Sequence, residues 1–418
     1  MKQNNHSGFP IDNSSILYLS LIRRDHTNTY RFTINMTEPV CPETLQRAVD
    51  HIYHRFPTII AGFQPGFFQY TQIPAKQAPK VKPDPGCLTA MSRDELQTCA
   101  FKVLYRECQI IIEAFHALTD GYGATACFTT LIAEYLRLRH NICIPVSEPL
   151  VDLEQNAESY ELSDSYLEYA KGKPLHLPSR YAYQLPGGHS NRDAVYTETI
   201  QVPINQILDA SRSYGVSVTA LISTVMASSI MELQHNRSSG RKKPVRIMVP
   251  VDLRRMFPSK TLRNFILYVL PTLEPEDQKQ PLSSLLKSFS RQIQEQAQPE
   301  RLASIMAYNV KTQNSWYFKI IPVSVKCTLM RLAYRYFGES NSSITLTNVG
   351  NVRLPEEMQP YVRNVDVTLM PRVGSPYNCG FISCNGILSI QISRFLPDSE
   401  LEAIFHSKLN AVLEGESK

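Results

Sequence analysis

The sequence predicts a two-lobed protein of mixed helix and strand, of α/β or α+β class, and three observations carry that expectation. Its 418 residues exceed what one hydrophobic core usually organises. Strand-like and helix-like runs alternate loosely through both halves. From Lys171 to Arg192 the composition turns to Gly, Pro, Ser and Tyr without periodicity, as a crossover between lobes would. The expected division is an N-terminal lobe over 1–172, a linker over 173–194 and a C-terminal lobe over 195–418.

Taken in chain order, Leu17 to Leu21 and Tyr30 to Met36 read as strands, rich in Ile, Leu, Phe and Thr with partial alternation. Pro42-Glu43 opens a helix on which Leu45, Val49, Ile52 and Tyr53 recur at helical spacing, and Pro57 ends it. Phe67 to Ile73 reads as a strand before the proline-rich loop Pro74 to Pro85. Ala100 to Tyr105 and Cys108 to Phe115 form a hairpin turned near Arg106-Glu107, its second arm apolar enough for a central strand. A helix from Ala124 to Arg139 follows, with Phe128, Leu131, Ile132, Tyr135 and Leu138 facing inward. Beyond the linker come a strand, Val195 to Val202, and helices over Ile204 to Tyr214 and Val218 to Gln234. Val245 to Pro250 is a buried strand and Leu282 to Glu295 a helix. Strands fall near Ser343 to Thr347 and Gly380 to Ile392, and Asp398 caps a last helix to Leu413.

Composition narrows the function classes. Apolar residues are 43% and charged residues 19%, as in a soluble globular protein. The net charge of +5 includes no run of five like charges, so no basic face broad enough for nucleic acid is expected. The trio Arg241, Lys242 and Lys243 reads as a solvated loop or a phosphate contact. The nine cysteines are odd in number, scattered and without a C-x-x-C pair, which argues against a disulfide framework and a thiolate zinc site. His51 and His54, three apart on a helix, lack an evident third metal ligand. The first residues hold no apolar signal core, and Ser217 to Leu233 falls short of the roughly 20 apolar residues a span needs. A cytoplasmic protein without a membrane span is expected. No G-x-G-x-x-G, Walker loop or H-E-x-x-H occurs, so no bound cofactor and no metal is expected.

The strongest local signal is His116-Ala117-Leu118-Thr119-Asp120-Gly121, between a buried strand and a helix. A strand end can hold a side chain over a cleft, and a histidine there can accept a proton near neutral pH. Asp120 lies too close along the turn to be a free second base, and pairing with a distant cation would fix the turn. Gly121 would permit a backbone geometry that a Cβ obstructs. The plain alternative is a core histidine satisfied by local hydrogen bonds.

The run FHALTDG, after IIIEAF and before an amphipathic helix, resembles the H-x-x-x-D-G motif of the chloramphenicol-acetyltransferase-like superfamily. That group includes alcohol acetyltransferases, wax-ester synthases, polyketide-associated acyltransferases and peptide-synthetase condensation domains. PETLQRAVDHIYHRFP is similar to the family's first helix, ending in Arg55-Phe56-Pro57. Pro250-Val251-Asp252-Leu253-Arg254, then Asn264-Phe265, is similar to its P-x-x-x-R and G-N elements, and Ser343 to Gly350 to its S-N-x-G strand. There are departures. Phe115 stands where condensation domains carry a second histidine, Arg263 replaces the glycine before Asn264, and no D-F-G-W-G element is present.

The resemblance implies a two-lobed fold, each lobe a mixed sheet flanked by helices. It implies an alcohol O-acetyltransferase-like enzyme that moves an acyl group from a thioester to an alcohol or amine, with His116 as general base and no covalent acyl-enzyme. Asp120, Gly121 and Arg254 would be structural at the site, with Asp120 salt-bridged to Arg254. Asn264, Thr347 and Asn348 would line the substrate channel, and Thr347 or Asn348 would donate to the oxyanion. Acyl-coenzyme A is the expected co-substrate, a small molecule the acceptor, and a monomer the expected state. A condensation-like enzyme fed by an acyl carrier protein, and a non-catalytic binding protein that kept the fold, remain the alternatives.

Overall fold

The computed structural model describes residues 8–23, 26–187, 195–237, 242–372 and 375–415. Arg241 of the basic trio and residues 188–194 of the expected linker lie outside them. Lys242 does fall inside, and its Nζ donates to the carbonyl of Gln234 at 3.2 Å, at the end of the helix Val218–Arg237.

Two mixed sheets organise the chain. The first has five strands in the order Val362–Leu369, Thr29–Met36, Gln109–Phe115, Phe101–Arg106 and Lys82–Pro83, antiparallel except for the last pair. Against it pack the helices Pro42–Ile52 and Gly121–His140. Leu45, Val49 and Ile52 from one, and Phe128, Leu131 and Ile132 from the other, are buried in its core. The second sheet has seven strands, six of them running Ile266–Val269, Val245–Asp252, Ile344–Val352, Tyr377–Cys384, Ile387–Arg394 and Tyr196–Pro203. Ile344–Val352 is parallel to both neighbours. The helices Ile204–Tyr214, Val218–Arg237, Leu282–Gln296 and Glu400–Leu413 cover that sheet, with Leu221, Val225, Phe289, Phe405 and Leu409 in its core. No single helix among the described residues is long and apolar enough to cross a membrane.

Several elements differ from the sequence reading, each for a local reason. Leu17 to Leu21 is not a strand; Ser15–Ser20 is a helix. Asp12 Oδ1 accepts from the backbone N–H groups of Ser14 and Ser15 at 3.0 and 2.9 Å, which satisfies donors at the helix entry. The helix expected from Ala124 begins at Gly121, because the Asp120 carboxylate caps it. Gly380 to Ile392 is a hairpin turned at Asn385-Gly386, where φ of +47° and +78° suits the tight turn that joins twisted strands.

The expected lobe boundary also needs correction. Val362–Leu369, placed by sequence position in the second lobe, is the edge strand of the first sheet and pairs with Thr29–Met36. Ile382 and Cys384 likewise point into the first core. The described part of the linker is bound to the second half: Leu175 N–H donates to Ser304 O at 2.9 Å and Tyr183 N–H to Pro244 O at 2.8 Å.

Candidate active site

His116 stands just past the C-terminal end of the central strand Gln109–Phe115, where Asn264 from the second half of the chain reaches it. Its backbone N–H donates to Asn28 O at 2.8 Å, so the strand pairing continues through it. Two phenols fix the ring. Tyr18 stacks on it at 4.4 Å between centroids with an 11° interplanar angle, and Tyr30 meets it edge-on at 5.3 Å. Tyr18 comes from the helix Ser15–Ser20, anchored where Ser15 Oγ donates to Ala117 O at 2.8 Å.

Nδ1 of the ring is buried and has no hydrogen-bond partner among the described residues. Burial pushes the imidazole pKa below its ordinary 6.5, against the pull of its own carbonyl, Asp120, Asn264 and Asp12. The ring is therefore neutral at neutral pH. A neutral imidazole can accept a proton.

Beneath the histidine, Asp120 and Arg254 are joined at 2.9 Å, each side chain almost wholly enclosed. All the polar capacity of both is used. Asp120 Oδ1 accepts from the N–H groups of Tyr122 and Gly123 at 3.1 and 3.3 Å, and Oδ2 from Arg254 Nη1 and from Phe265 N–H at 2.8 Å. Arg254 spreads its five N–H donors over Asp120, Asp252 and the carbonyls of Thr261 and Arg263. Its guanidinium also lies 4.6 Å over the Tyr122 ring. Burying two charges is costly, and this complete satisfaction is what makes it tolerable.

Gly121 does not hold the place expected of it. A Cβ there would touch Val349 Cγ1 at 3.5 Å, ordinary contact, and its φ is not in the left-handed region. Gly123 is the position without room: a Cβ there would lie 2.2 Å from both Leu262 O and Thr119 Oγ1. At that point the helix touches the segment carrying Arg263 and Asn264, and Thr119 Oγ1 donates to Leu262 O at 2.6 Å.

Asn264 also departs from expectation. It is fully enclosed rather than set on a channel wall, and its Nδ2 donates to His116 O at 3.0 Å. It thus braces the backbone of the histidine from the opposite half of the chain. Arg263, the departure beside it, is buried as well. Its Nη2 donates to Pro10 O at 2.6 Å and Gln72 Oε1 at 3.1 Å, and its Nε lies 3.8 Å from Asp12 Oδ2. A glycine could not pin the N-terminal segment in that way. Thr347 and Asn348 lie half-buried on Ile344–Val352. Asn348 Nδ2 donates to Thr219 Oγ1 at 2.9 Å and its Oδ1 accepts from Gly350 N–H at 2.8 Å, bracing the bulge at Gly350, where φ is +103°. A cleft lined by Tyr122, Glu148, Tyr160, Asp252, Arg255 and Lys260 opens beside the ion pair. Sequence reading missed Tyr18, Tyr30 and Asp12. The signal for Tyr18 is the Asp12-Asn13-Ser14-Ser15 run, whose polar side chains suit a helix entry.

Compared as a sequence, the chain matches no protein-family model and no curated protein. Its fold matches many solved structures. Polyketide synthase associated protein 5 from Mycobacterium tuberculosis superposes with a TM-score of 0.61 at 13% identity, covering 98% of this chain and 100% of that one. The chain has the chloramphenicol-acetyltransferase-like fold. A second solved structure with that fold, the F. sporotrichioides protein complexed with Coenzyme A and T-2, gives a TM-score of 0.64 at 12% identity over 95% of this chain and 97% of its own. The epimerization domain from the third module of tyrocidine synthetase B gives 0.61 at 11% identity over 98% and 96%. In the chloramphenicol-acetyltransferase-like frame, Asp120 and Arg254 meet across 134 residues of sequence, a spacing no local motif encodes.

Proposed function

We propose that this protein is an acyltransferase that moves an acyl group from a thioester to an alcohol or amine, with His116 as general base. The observation that carries the reading is an imidazole held neutral by burial and clamped between Tyr18 and Tyr30 at the end of a strand. The imidazole takes the proton from the acceptor as it attacks the thioester carbonyl. The tetrahedral oxyanion collapses, the carbon–sulfur bond breaks, and the imidazolium returns that proton to the departing thiolate. Neither a metal nor an acyl-enzyme is needed. Thr347 and Asn348 stand as candidates for the channel wall and oxyanion contact. Asn264 acts as a positioning residue through the His116 carbonyl.

The fold supports the same chemistry. A similar solved structure holds Coenzyme A, and another is named trichothecene 15-O-acetyltransferase, at a TM-score of 0.59 and 10% identity. Acyl-coenzyme A is the donor we favour. Phe115 in place of a second histidine favours it over an acyl carrier protein.

The deciding experiment follows thiol release from a panel of acyl-coenzyme A donors with small alcohols and amines, for wild type and His116→Ala. Acceptor-dependent release by wild type, reduced ~10²–10⁴-fold in the variant, is expected for loss of a general base. Equal release by both proteins overturns the role of His116. No release from coenzyme A thioesters, but transfer from an acylated carrier protein, replaces the donor.

A further inference from the structure

Exposed large apolar side chains recur along the segment from Trp316 to Tyr336. The helix Val323–Ala333 and the π-turn Tyr334–Gly338 that continues it carry Val325, Leu329, Leu332 and Tyr336 at i, i+4, i+7 and i+11, one stripe. That stripe faces outward, at 48%, 52%, 47% and 62% exposure. Cations of the same helix turn inward instead. Lys326 is buried and its Nζ donates to Phe68 O at 2.9 Å, while Arg331 Nε donates to Ser20 O at 3.2 Å. A surface helix of a soluble protein ordinarily has the opposite arrangement.

Neighbouring elements extend the patch. The short helix Trp316–Ile320 adds Trp316, 74% exposed, and Ile320. Phe67 and Phe68 stand alongside, because Val323 N–H donates to Phe67 O at 2.8 Å. The charge along this stretch of chain has one sign. Residues 302–338 contain Lys311, Lys319, Lys326, Arg331 and Arg335 and no Asp or Glu, and Lys311, Lys319 and Arg335 are exposed.

We propose that this face docks on an anionic lipid surface, with the Val325–Tyr336 stripe, Trp316 and the two phenylalanines entering the headgroup boundary and the exposed cations meeting lipid phosphates. Trp and Tyr at the edge of an apolar face, ringed by Lys and Arg, is the composition of interfacial membrane contacts. Contiguous apolar exposure of this kind marks an interaction site. A second copy docking symmetrically would bring the same cations against each other, which disfavours self-association. The face lies one helix from His116: Ser15–Ser20, which carries Tyr18, meets the stripe's own helix where Ser20 Oγ donates to Met330 Sδ at 3.5 Å. The inference rests on the surface alone and does not depend on His116 acting as a base.

Flotation of the full chain with vesicles of phosphatidylcholine, or phosphatidylcholine with phosphatidylglycerol, tests it. Wild type is expected to float with the anionic vesicles and to be released by salt. The pair Leu329→Glu and Leu332→Glu is expected to abolish flotation with an unchanged melting temperature, and Leu167→Glu, an exposed leucine elsewhere, to leave it intact. Lys319→Gln with Arg335→Gln is expected to weaken binding on the order of thirtyfold, from about fivefold per surface cation. Failure of wild type to float, equal binding to uncharged vesicles, or indifference to the Leu329 and Leu332 changes each overturns the proposal. So does sedimentation showing a wild-type dimer that those two changes dissociate.

Discussion

Asp120 and Arg254 come from opposite halves of the chain and meet at 2.9 Å in a fully hydrogen-bonded, enclosed ion pair. Asp120 joins three structures at once: it caps the helix that begins at Gly121, neutralises Arg254, and receives the backbone N–H of Phe265. Asp120→Asn keeps the helix cap but leaves the buried guanidinium with the more exposed Asp252 as its carboxylate partner, and is expected to cost up to about 3–5 kcal/mol of stability together with a loss of rate. Urea denaturation of the two proteins measures it. Unchanged stability would mean that Asp252 alone satisfies Arg254.

The same site predicts a pH profile. Burial holds the His116 pKa below 6.5, so the proton-accepting form persists under mildly acidic conditions, and the acid limb of kcat/KM should lie below pH 6.5. Tyr18→Ala removes the stacked ring and admits water, which should move that limb upward toward the ordinary value. A merely structural tyrosine would change the rate without moving the limb.

The two motif glycines are separable. Gly121→Ala should be tolerated, since Val349 Cγ1 at 3.5 Å is normal contact. Gly123→Ala drives a methyl group into Leu262 O and Thr119 Oγ1 and should destabilise by about 1–3 kcal/mol or more. Thermal melting distinguishes them, and equal behaviour would contradict the close approach at Leu262.

A fourth expectation concerns Asp164, whose Oδ2 accepts from Asn13 N–H at 3.0 Å. Burial, with Asp12 nearby, pushes its pKa from 3.8 up to about 7, against the pull of Arg263. The folded state thus holds this proton more tightly than the unfolded chain. Its contribution to stability falls as pH rises from about 3.8 to about 7, and above that the penalty is complete. Asp164→Asn removes the charge, so its melting temperature relative to wild type should be more favourable at pH 8 than at pH 4.5. The reverse order would refute the raised pKa.

Some of this was legible in the residues alone. Periodicity placed the helices Pro42–Ile52, Ile204–Tyr214 and Leu282–Gln296 closely, because one apolar stripe on each faces one sheet. His116, Asp120 and Arg254 stood out because buried charges need partners and a histidine at a strand end needs a purpose. The strand Val362–Leu369 was passed over, and so were the helices Pro299–Asn314 and Val323–Ala333. In Val323–Ala333 the apolar stripe faces solvent, so the rule linking apolar periodicity to a core gives no guidance there.

The sequence by itself determined the class, the length of the main elements, the motif histidine and the need for a cation opposite Asp120. These follow from local spacing and from the cost of isolated charge. Only the tertiary structure decided that Val362–Leu369 returns to the first sheet, that Tyr18 and Tyr30 clamp the imidazole, that Gly123 rather than Gly121 lacks room for a Cβ, and that Asn264 holds the His116 carbonyl. Each of those depends on which distant surfaces meet, and contacts between residues more than eighty positions apart leave no periodic trace in the chain.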